Sequence, residues 1–492
     1  MDVHVFRTRL LLRILTFLLL FSFSVNAQQL KNVAQKRFTV LGLGDSITEG
    51  GETFKTYLFP LWERLFSAGY SFDFIGPKAS KCRIGTLNNS GFGGKNAEFL
   101  EQHIDSIYRK YPADIVLLHA GHNHFIEEKP VSGIVNAQKS IIKKILAIRP
   151  DARILVATVI NSGKLPKYSY IPELNDSLVK MVRSLHNKNV IMVNVDHGFD
   201  WQKHTIADKV HPNAAGADVM AENWFQSLKK ILGTPEYTFH PEIIPYKQSD
   251  SVCLSLHVFK SGNLKVGDKR PAIIYFFGGG WTLGTPLQFY RECARYASMG
   301  MVAVSAEYRI AYVHKTTPFD SYQDAKDAIR WLRKNASRLN IDPDKIVAAG
   351  ASAGGQLAAA TGILKDTAAP ADISSKPNLL MLYYPVVDNS PSGYGTDEMK
   401  KRFMEISPMH NINAASPSTL FILGTNDNLI PVETAKEFAN RMKEAGVNCE
   451  LHLIEGAGHP IFYYAKELTD NYYKIQELSD NFLRRYQYLP KY

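Results

Sequence analysis

The sequence predicts two α/β domains joined end to end, each a parallel sheet covered by helices. Three observations lead there. The chain has 492 residues, and a single hydrophobic core stops growing at about 250 to 300. Apolar strand-like runs alternate with amphipathic helical stretches in two separate series, the pattern of a parallel sheet with helices on its faces. Between the series lies a stretch with Pro235, Pro241 and Pro245, and proline, lacking an amide hydrogen and fixed in φ, opposes both helix and central strand. The two halves show no similarity to each other, so the domains differ in kind and are not a duplication.

The first residues stand apart. Arg7, Arg9 and Arg13 precede an apolar run from Ile14 to Val25 that ends at Val25, Asn26 and Ala27, the layout of a cleaved signal peptide. A membrane anchor is the other reading, but the run is short of the ~20 residues that a spanning helix needs. Residues 1–27 are therefore expected to be a signal peptide, and the protein to be exported to the periplasm or beyond. Cleavage removes three arginines and Asp2 from a chain of net charge +10 and leaves it basic. Without a clustered Lys/Arg run this charge reads as solvated surface, not as a nucleic-acid site. Cys82, Cys253, Cys293 and Cys449 are too few for a disulfide scaffold and lack metal-ligand spacing; their pairing is left open.

The first series comprises Phe38 to Leu43, Phe72 to Ile75, Ile115 to His119, Ile154 to Val159 and Val190 to Val195, closed by a helix from about Ala214 to Leu232. It sets a first domain at residues 36–233, followed by a linker at 234–246. The second series, in a domain at 247–487, comprises Val252 to Phe259, Ala272 to Phe277, Val302 to Ala306, Ile346 to Ala349, Leu379 to Tyr383, Leu420 to Leu423 and Leu451 to Ile454.

The first strand runs into Gly44, Asp45, Ser46, Ile47, Thr48, Glu49 and Gly50, placing a serine at the carboxyl end of a strand, where α/β sheets bind ligands. Alone this is weak, since serine also caps helices. Further blocks follow: Gly91, Phe92, Gly93, Gly94 after the second strand, Gly121, His122, Asn123 after the third, and Asp208, Lys209, Val210, His211 before the last helix. In order and content they resemble the SGNH (GDSL) hydrolases. The resemblance implies a flavodoxin-like three-layer fold, with Ser46 as nucleophile, His211 as base and Asp208 orienting the imidazole. It also implies an oxyanion hole made by the amides of Ser46 and Gly94 and the side chain of Asn123. The third block departs from the usual Gly, Thr, Asn, Asp: here His122 and His124 flank the asparagine.

In the second half, Gly350, Ala351, Ser352, Ala353, Gly354 follow the GxSxG pattern, in which small neighbours allow a strained strand-to-helix turn that exposes the serine. Gly278, Gly279 and Gly280 follow an earlier strand, Asp427 sits in Gly424–Asp427 and His459 in Gly456–His459. This half resembles the α/β-hydrolases, in the branch of hormone-sensitive-lipase-like and acetylxylan or feruloyl esterases. The resemblance implies Ser352 as nucleophile, His459 as base and Asp427 as acid, with the oxyanion held by the amides of Ala353, Gly279 and Gly280. Phe277 stands where that branch usually has histidine. Trp281 is a candidate for lining the acyl pocket, though a tryptophan beside a glycine loop is at least as often packing; Tyr384 and Tyr394 are candidates for stacking on sugar or ferulate rings, though aromatics near a sheet edge are more often core.

Both resemblances imply acyl transfer to serine and then hydrolysis, with no metal or cofactor. The expected substrate is an acylated plant polysaccharide such as xylan, losing acetyl groups, with feruloyl groups as a second candidate. No nucleic-acid partner is expected, and no membrane partner once the signal peptide is gone; the oligomeric state stays open. Alternatives are a general carboxylesterase or lipase, and a single active esterase in the second half with the first half as a polysaccharide-binding accessory.

Overall fold

A computed structural model describes residues 37–235, 239–249, 252–262, 264–265, 267–366, 373–460 and 469–490. The expected signal peptide, residues 1–27, lies outside the described residues. No helix among the described residues is long and apolar enough to cross a membrane.

The first sheet contains β1 (Phe38–Gly44), β2 (Phe72–Phe74), β3 (Lys78–Cys82), β4 (Gly85–Gly91), β5 (Ile115–His119), β6 (Arg153–Ala157) and β7 (Val190–Val193). Its order is β3-β4-β1-β5-β6-β7, and β2 pairs with β1. Every pair is parallel except the hairpin β3–β4. Successive residues of a strand point to opposite faces, so Val40, Ile115 and Leu117 enter one core with Tyr57 and Trp224, while Leu41, Val116 and Leu118 enter the other with Ile104 and Ile141. Helices α1 (Ser46–Glu49), α2 (Leu58–Ser67), α3 (Ala97–Lys110), α4 (Val131–Ile148), α5 (Ile171–Ser184) and α6 (Ala214–Leu232) complete three layers. Amphipathic α2 packs on α6, and α4 lies between α3 and α5.

The second sheet contains β8 (Glu242–Ser249), β9 (Val252–Phe259), β10 (Arg270–Phe276), β11 (Val302–Ala306), β12 (Ile341–Ala351), β13 (Leu379–Tyr383), β14 (Ser418–Gly424) and β15 (Cys449–Ile454). The order is β15-β14-β13-β12-β10-β11-β9-β8, parallel from β15 through β11 and antiparallel beyond. Helix α7 (Ala353–Ile363) follows β12 directly and is buried along its whole length, so it carries apolar and small residues all round.

Two expectations need correction. The stretch 234–246 is not wholly linker, because β8 begins at Glu242. Pro245 is tolerated there because β8 is the sheet edge, where a missing amide hydrogen breaks no ladder, and the register shifts between Pro245 and Lys247. The glycine block at 91–94 follows β4 and not the second strand of the sheet, since the hairpin β3–β4 intervenes. All four cysteines are unpaired.

Trp224 is fully buried and stacks on Tyr57 with ring centroids 6.0 Å apart. Trp224→Ala is expected to destabilise the first domain by about 3 to 5 kcal/mol, measured by urea unfolding.

Candidate active sites

The first site forms where β1 ends and α1 begins. A Cβ on Gly44 would collide with the carbonyl of His119 and the hydroxyl of Thr48, so only glycine lets the chain turn this close to β5. Asp45 then caps α1, its Oδ1 accepting the Ile47 amide at 3.0 Å, and Ser46 emerges at the sheet edge.

The structure brings Ser46, His211 and Asp208 together. Ser46 Oγ lies 2.9 Å from His211 Nε2, and His211 Nδ1 lies 2.5 Å from Asp208 Oδ2. With the proton on Nδ1 donated to Asp208, Nε2 is left to accept from the serine hydroxyl. The other oxygen of Asp208 accepts the amides of Val210 at 2.9 Å and His211 at 3.0 Å. Burial pushes the Asp208 carboxyl up, but the bonds from the His211 side chain and from these amides outweigh it and hold the group below its ordinary value. Phe54 stacks on His211 at 4.0 Å and fixes the plane of the ring, a contact for which no local pattern gave a signal.

Asn123 is tied to Lys95, the residue after Gly94. Nδ2 of Asn123 donates to the carbonyl of Lys95 at 2.9 Å, which fixes the amide plane and leaves the second N–H for the site. Gly94 has φ +72, so its loop turns in a conformation glycine adopts freely. Glu49 steadies that loop: its Oε2 accepts the Gly93 amide at 2.6 Å while its Oε1 meets Lys78 Nζ at 2.9 Å.

The two unusual histidines have separate roles. His124 is bracketed by Glu98, 2.9 Å from Nε2, and Glu128, 2.6 Å from Nδ1. The bond to Glu98, helped by that to Glu128, raises its pKa, and through these bonds the ring ties α3 to the Asn123 loop. His122 is buried beneath the site, 3.8 Å from Asp45 Oδ2 and edge-on to Tyr168, and burial lowers it to about 3.

The second site forms at the end of β12. Ser352 has φ 53 and ψ −120, a strained turn that a non-glycine residue adopts at a cost of order 1–3 kcal/mol. Its amide donates to the carbonyl of Tyr383 at 3.0 Å, and its carbonyl accepts from Val386 at 3.1 Å. A Cβ on Gly354 would collide with the carbonyls of Phe276 and Phe277, so α7 starts directly against β10.

Ser352, His459 and Asp427 also meet. Ser352 Oγ is 2.9 Å from His459 Nε2, and His459 Nδ1 is 2.7 Å from Asp427 Oδ2. Asp427 Oδ1 accepts the amides of Leu429 and Ile430, both at 2.9 Å. Burial raises this carboxyl, and the His459 bond with the two amides more than reverses the effect. Ala353 opens α7. Gly279 and Gly280, with φ +135 and +60, lie in a loop closed by bonds from the Thr282 and Leu283 amides to the Gly279 carbonyl at 3.1 and 2.9 Å.

Phe277 holds the start of the glycine loop by packing. Its ring stacks on Tyr308 at 4.1 Å, and Tyr308 donates its hydroxyl hydrogen to the Phe277 carbonyl at 2.6 Å. Trp281 is buried, with Nε1 donating to Gln356 at 3.1 Å. Tyr384 lies edge-on to His459 at 4.9 Å. Tyr394 is 38% exposed, and its hydroxyl lies 3.8 Å from where a Cβ on Gly280 would stand, which puts it at the mouth of this site.

Asp45 Oδ2 is buried without a hydrogen-bond partner, and burial raises the carboxyl from 3.8 to about 6. The folded state therefore holds this proton more tightly than the unfolded chain, so stability falls as pH rises from about 4 to 6 and stays lower above, by about 3 kcal/mol. Asp45→Asn keeps the capping oxygen and is expected to lose that slope, gaining stability at pH 7. Urea unfolding of both proteins from pH 4 to 7.5 checks it; parallel curves would refute it.

Residues 43–219 match the GDSL-like Lipase/Acylhydrolase family, and residues 273–463 match the alpha/beta hydrolase fold. The chain is 30% identical over 213 residues to esterase LipC of Mycobacterium tuberculosis, covering 38% of this chain and 52% of that protein. It is 26% identical over 223 residues to endo-1,4-beta-xylanase B of Butyrivibrio fibrisolvens, covering 42% of this chain and 32% of that protein. The chain thus spans about half, or less, of the length of these curated relatives. A solved structure of the thermophilic esterase 2 of Thermogutta terrifontis, with propionate bound, is 42% identical, covering 51% of this chain and 97% of that chain at a TM-score of 0.48. The chain carries two family regions in tandem, a GDSL-like lipase/acylhydrolase domain followed by a domain of the alpha/beta hydrolase fold.

Proposed function

We propose that the protein is an exported carbohydrate esterase with two independent serine nucleophiles, removing acetyl groups from a plant polysaccharide such as xylan. The observation that carries the reading is that both families' Ser, His and Asp meet at hydrogen-bonding distance in one chain.

The chemistry is the same at each site. The serine Oγ attacks the ester carbonyl carbon while Nε2 of the histidine takes its proton, and the aspartate stabilises the imidazolium that forms. Negative charge developing on the carbonyl oxygen meets the amides of Ser46 and Gly94 and the side chain of Asn123 in the first site, or those of Ala353, Gly279 and Gly280 in the second. The histidine returns the proton to the sugar oxygen, which departs as an alcohol. Water, deprotonated by the same histidine, then attacks the acyl-serine and releases acetate.

Two features support a polymeric substrate. Gly93 and Gly94 are exposed, and Ser46, Asn123 and His211 are only half-buried, so the first site is open to a chain lying across it. One relative is an endo-1,4-beta-xylanase, and others are esterases.

With acetylated xylan, Ser46→Ala and Ser352→Ala are each expected to lose a different share of acetate release, and the double variant nearly all of it, followed by acetate assay. Release that depends on Ser352 alone would make the first domain an accessory; no release by the wild type would refute the polysaccharide. In a Ser352→Ala background, Asn123→Ala is expected to lower kcat on p-nitrophenyl acetate by about 10² to 10³, with KM nearly unchanged.

A further inference from the structure

The hairpin β3–β4 belongs to the first sheet, but its tip reaches the oxyanion loop of the second domain. Arg83, at the turn between the two strands, makes a reciprocal pair with Gly284: Nε donates to the Gly284 carbonyl at 3.0 Å, and the Gly284 amide donates to the Arg83 carbonyl. A second tie runs through Tyr312, whose amide donates to the Thr282 carbonyl at 3.0 Å and whose hydroxyl donates to the Lys81 carbonyl at 3.2 Å.

Residues 282–284 are the segment that fixes the donors. A peptide unit is planar and trans, so its N–H points away from its own carbonyl. The Gly279 carbonyl is held by the amides of Thr282 and Leu283, and this sets the direction of the Gly280 N–H in the same peptide. Gly284, at φ +114, is packed so closely that a Cβ there would collide with the Gly278 carbonyl and the Phe277 ring, and the Gly278 carbonyl sets the direction of the Gly279 N–H. The two loop amides proposed to hold the oxyanion, those of Gly279 and Gly280, are therefore aimed by a segment that the hairpin grips.

The other end of the hairpin is anchored at the first site. Ser80 donates to the Glu49 carbonyl, and Lys78 pairs with the Glu49 carboxylate, so the strut rests on the helix that begins with Ser46. Buried Asn89 stiffens it, donating to Ser80 Oγ at 2.7 Å.

We propose that the first domain supplies a working part of the second site: Arg83 is a positioning residue that holds the oxyanion loop of Ser352 in its active geometry. This rests on the reading of Ser352 as an esterase nucleophile.

The test uses full-length protein in a Ser46→Ala background, so that only Ser352 turns over p-nitrophenyl acetate. Arg83→Ala is expected to lower kcat about tenfold to a hundredfold, as small misplacements of catalytic groups do, with KM within about twofold. Arg83→Lys, which keeps a donor, is expected to recover much of the loss. Amide hydrogen exchange over residues 278–284 should quicken in Arg83→Ala, while first-site turnover in a Ser352→Ala background stays unchanged. Unchanged kcat, or an equal fall at both sites with a lowered melting temperature, would overturn the proposal. If the Ser46→Ala protein shows no turnover that Ser352→Ala abolishes, the reading of function fails instead; hydrogen exchange then decides the clamp, faster exchange keeping it and unchanged exchange overturning it.

Discussion

Each nucleophile depends on a turn that leaves no room for a side chain between helix and sheet. At the first site Gly44 lies against the His119 carbonyl of the neighbouring strand; at the second, Gly354 lies against the carbonyls that end β10. The neighbouring strand fixes each serine as firmly as its own strand does. In the second domain the turn is strained as well, with Ser352 at positive φ, and the strain is held by bonds to Tyr383, at the end of the adjoining strand, and to Val386 just beyond it. Parallel pairing aligns the carboxyl ends of the strands, so the same edge that holds the serine carries the loops that bring histidine and aspartate to it.

The two aspartates reach one solution by different routes. Asp208 lies three residues before its histidine in one turn, whereas Asp427 and His459 come from loops after different strands. In both, one carboxylate oxygen faces the imidazole and the other accepts two backbone amides. The histidine bond and the two amides together hold the carboxyl below its ordinary value despite burial, and the amides prevent rotation, so the histidine is presented with one tautomer. The sites differ in exposure: the Asp427 side chain is fully buried and that of Asp208 is 37% exposed. An imidazolium in the second site is accordingly less screened by solvent, and its charge is balanced more by the aspartate than by water.

Much of this was legible in the sequence because the chemistry is concentrated in short segments. Ser46, Ser352 and the glycines beside them announce sharp turns, and His211, Asp208, His459 and Asp427 lie in compact motifs that the fold brings together. The hairpin β3–β4 was not legible. Lys78–Cys82 and Gly85–Gly91 are mostly polar, because much of the hairpin faces solvent, and too few apolar residues remain to show a period of two. The edge strand β8 hid behind Pro245, which argues against a central strand but not against an edge. Phe54, Glu98 and Arg83 act at places far along the chain, and nothing local marks a residue whose function is set by what folds against it.

The junction of the domains is built from both cores. One contiguous apolar cluster contains Phe74, Cys82 and Leu87 of the first domain with Leu287, Tyr290 and Phe259 of the second. Within this region lie charged groups that would be costly alone: burial lifts Glu63 to about 7, against the pull of Arg83 and with the push of Glu307, and burial likewise raises Glu307, again against Arg83. Arg83 is the cation common to both carboxyls, and its side chain also bonds the Gly284 carbonyl. A guanidinium suits these demands because its planar fork holds several donors in fixed directions and stays charged when partly dehydrated. The residue that offsets burial of acid at the junction is thus the one that grips the second oxyanion loop, which makes the geometry of that loop a consequence of how the two domains pack.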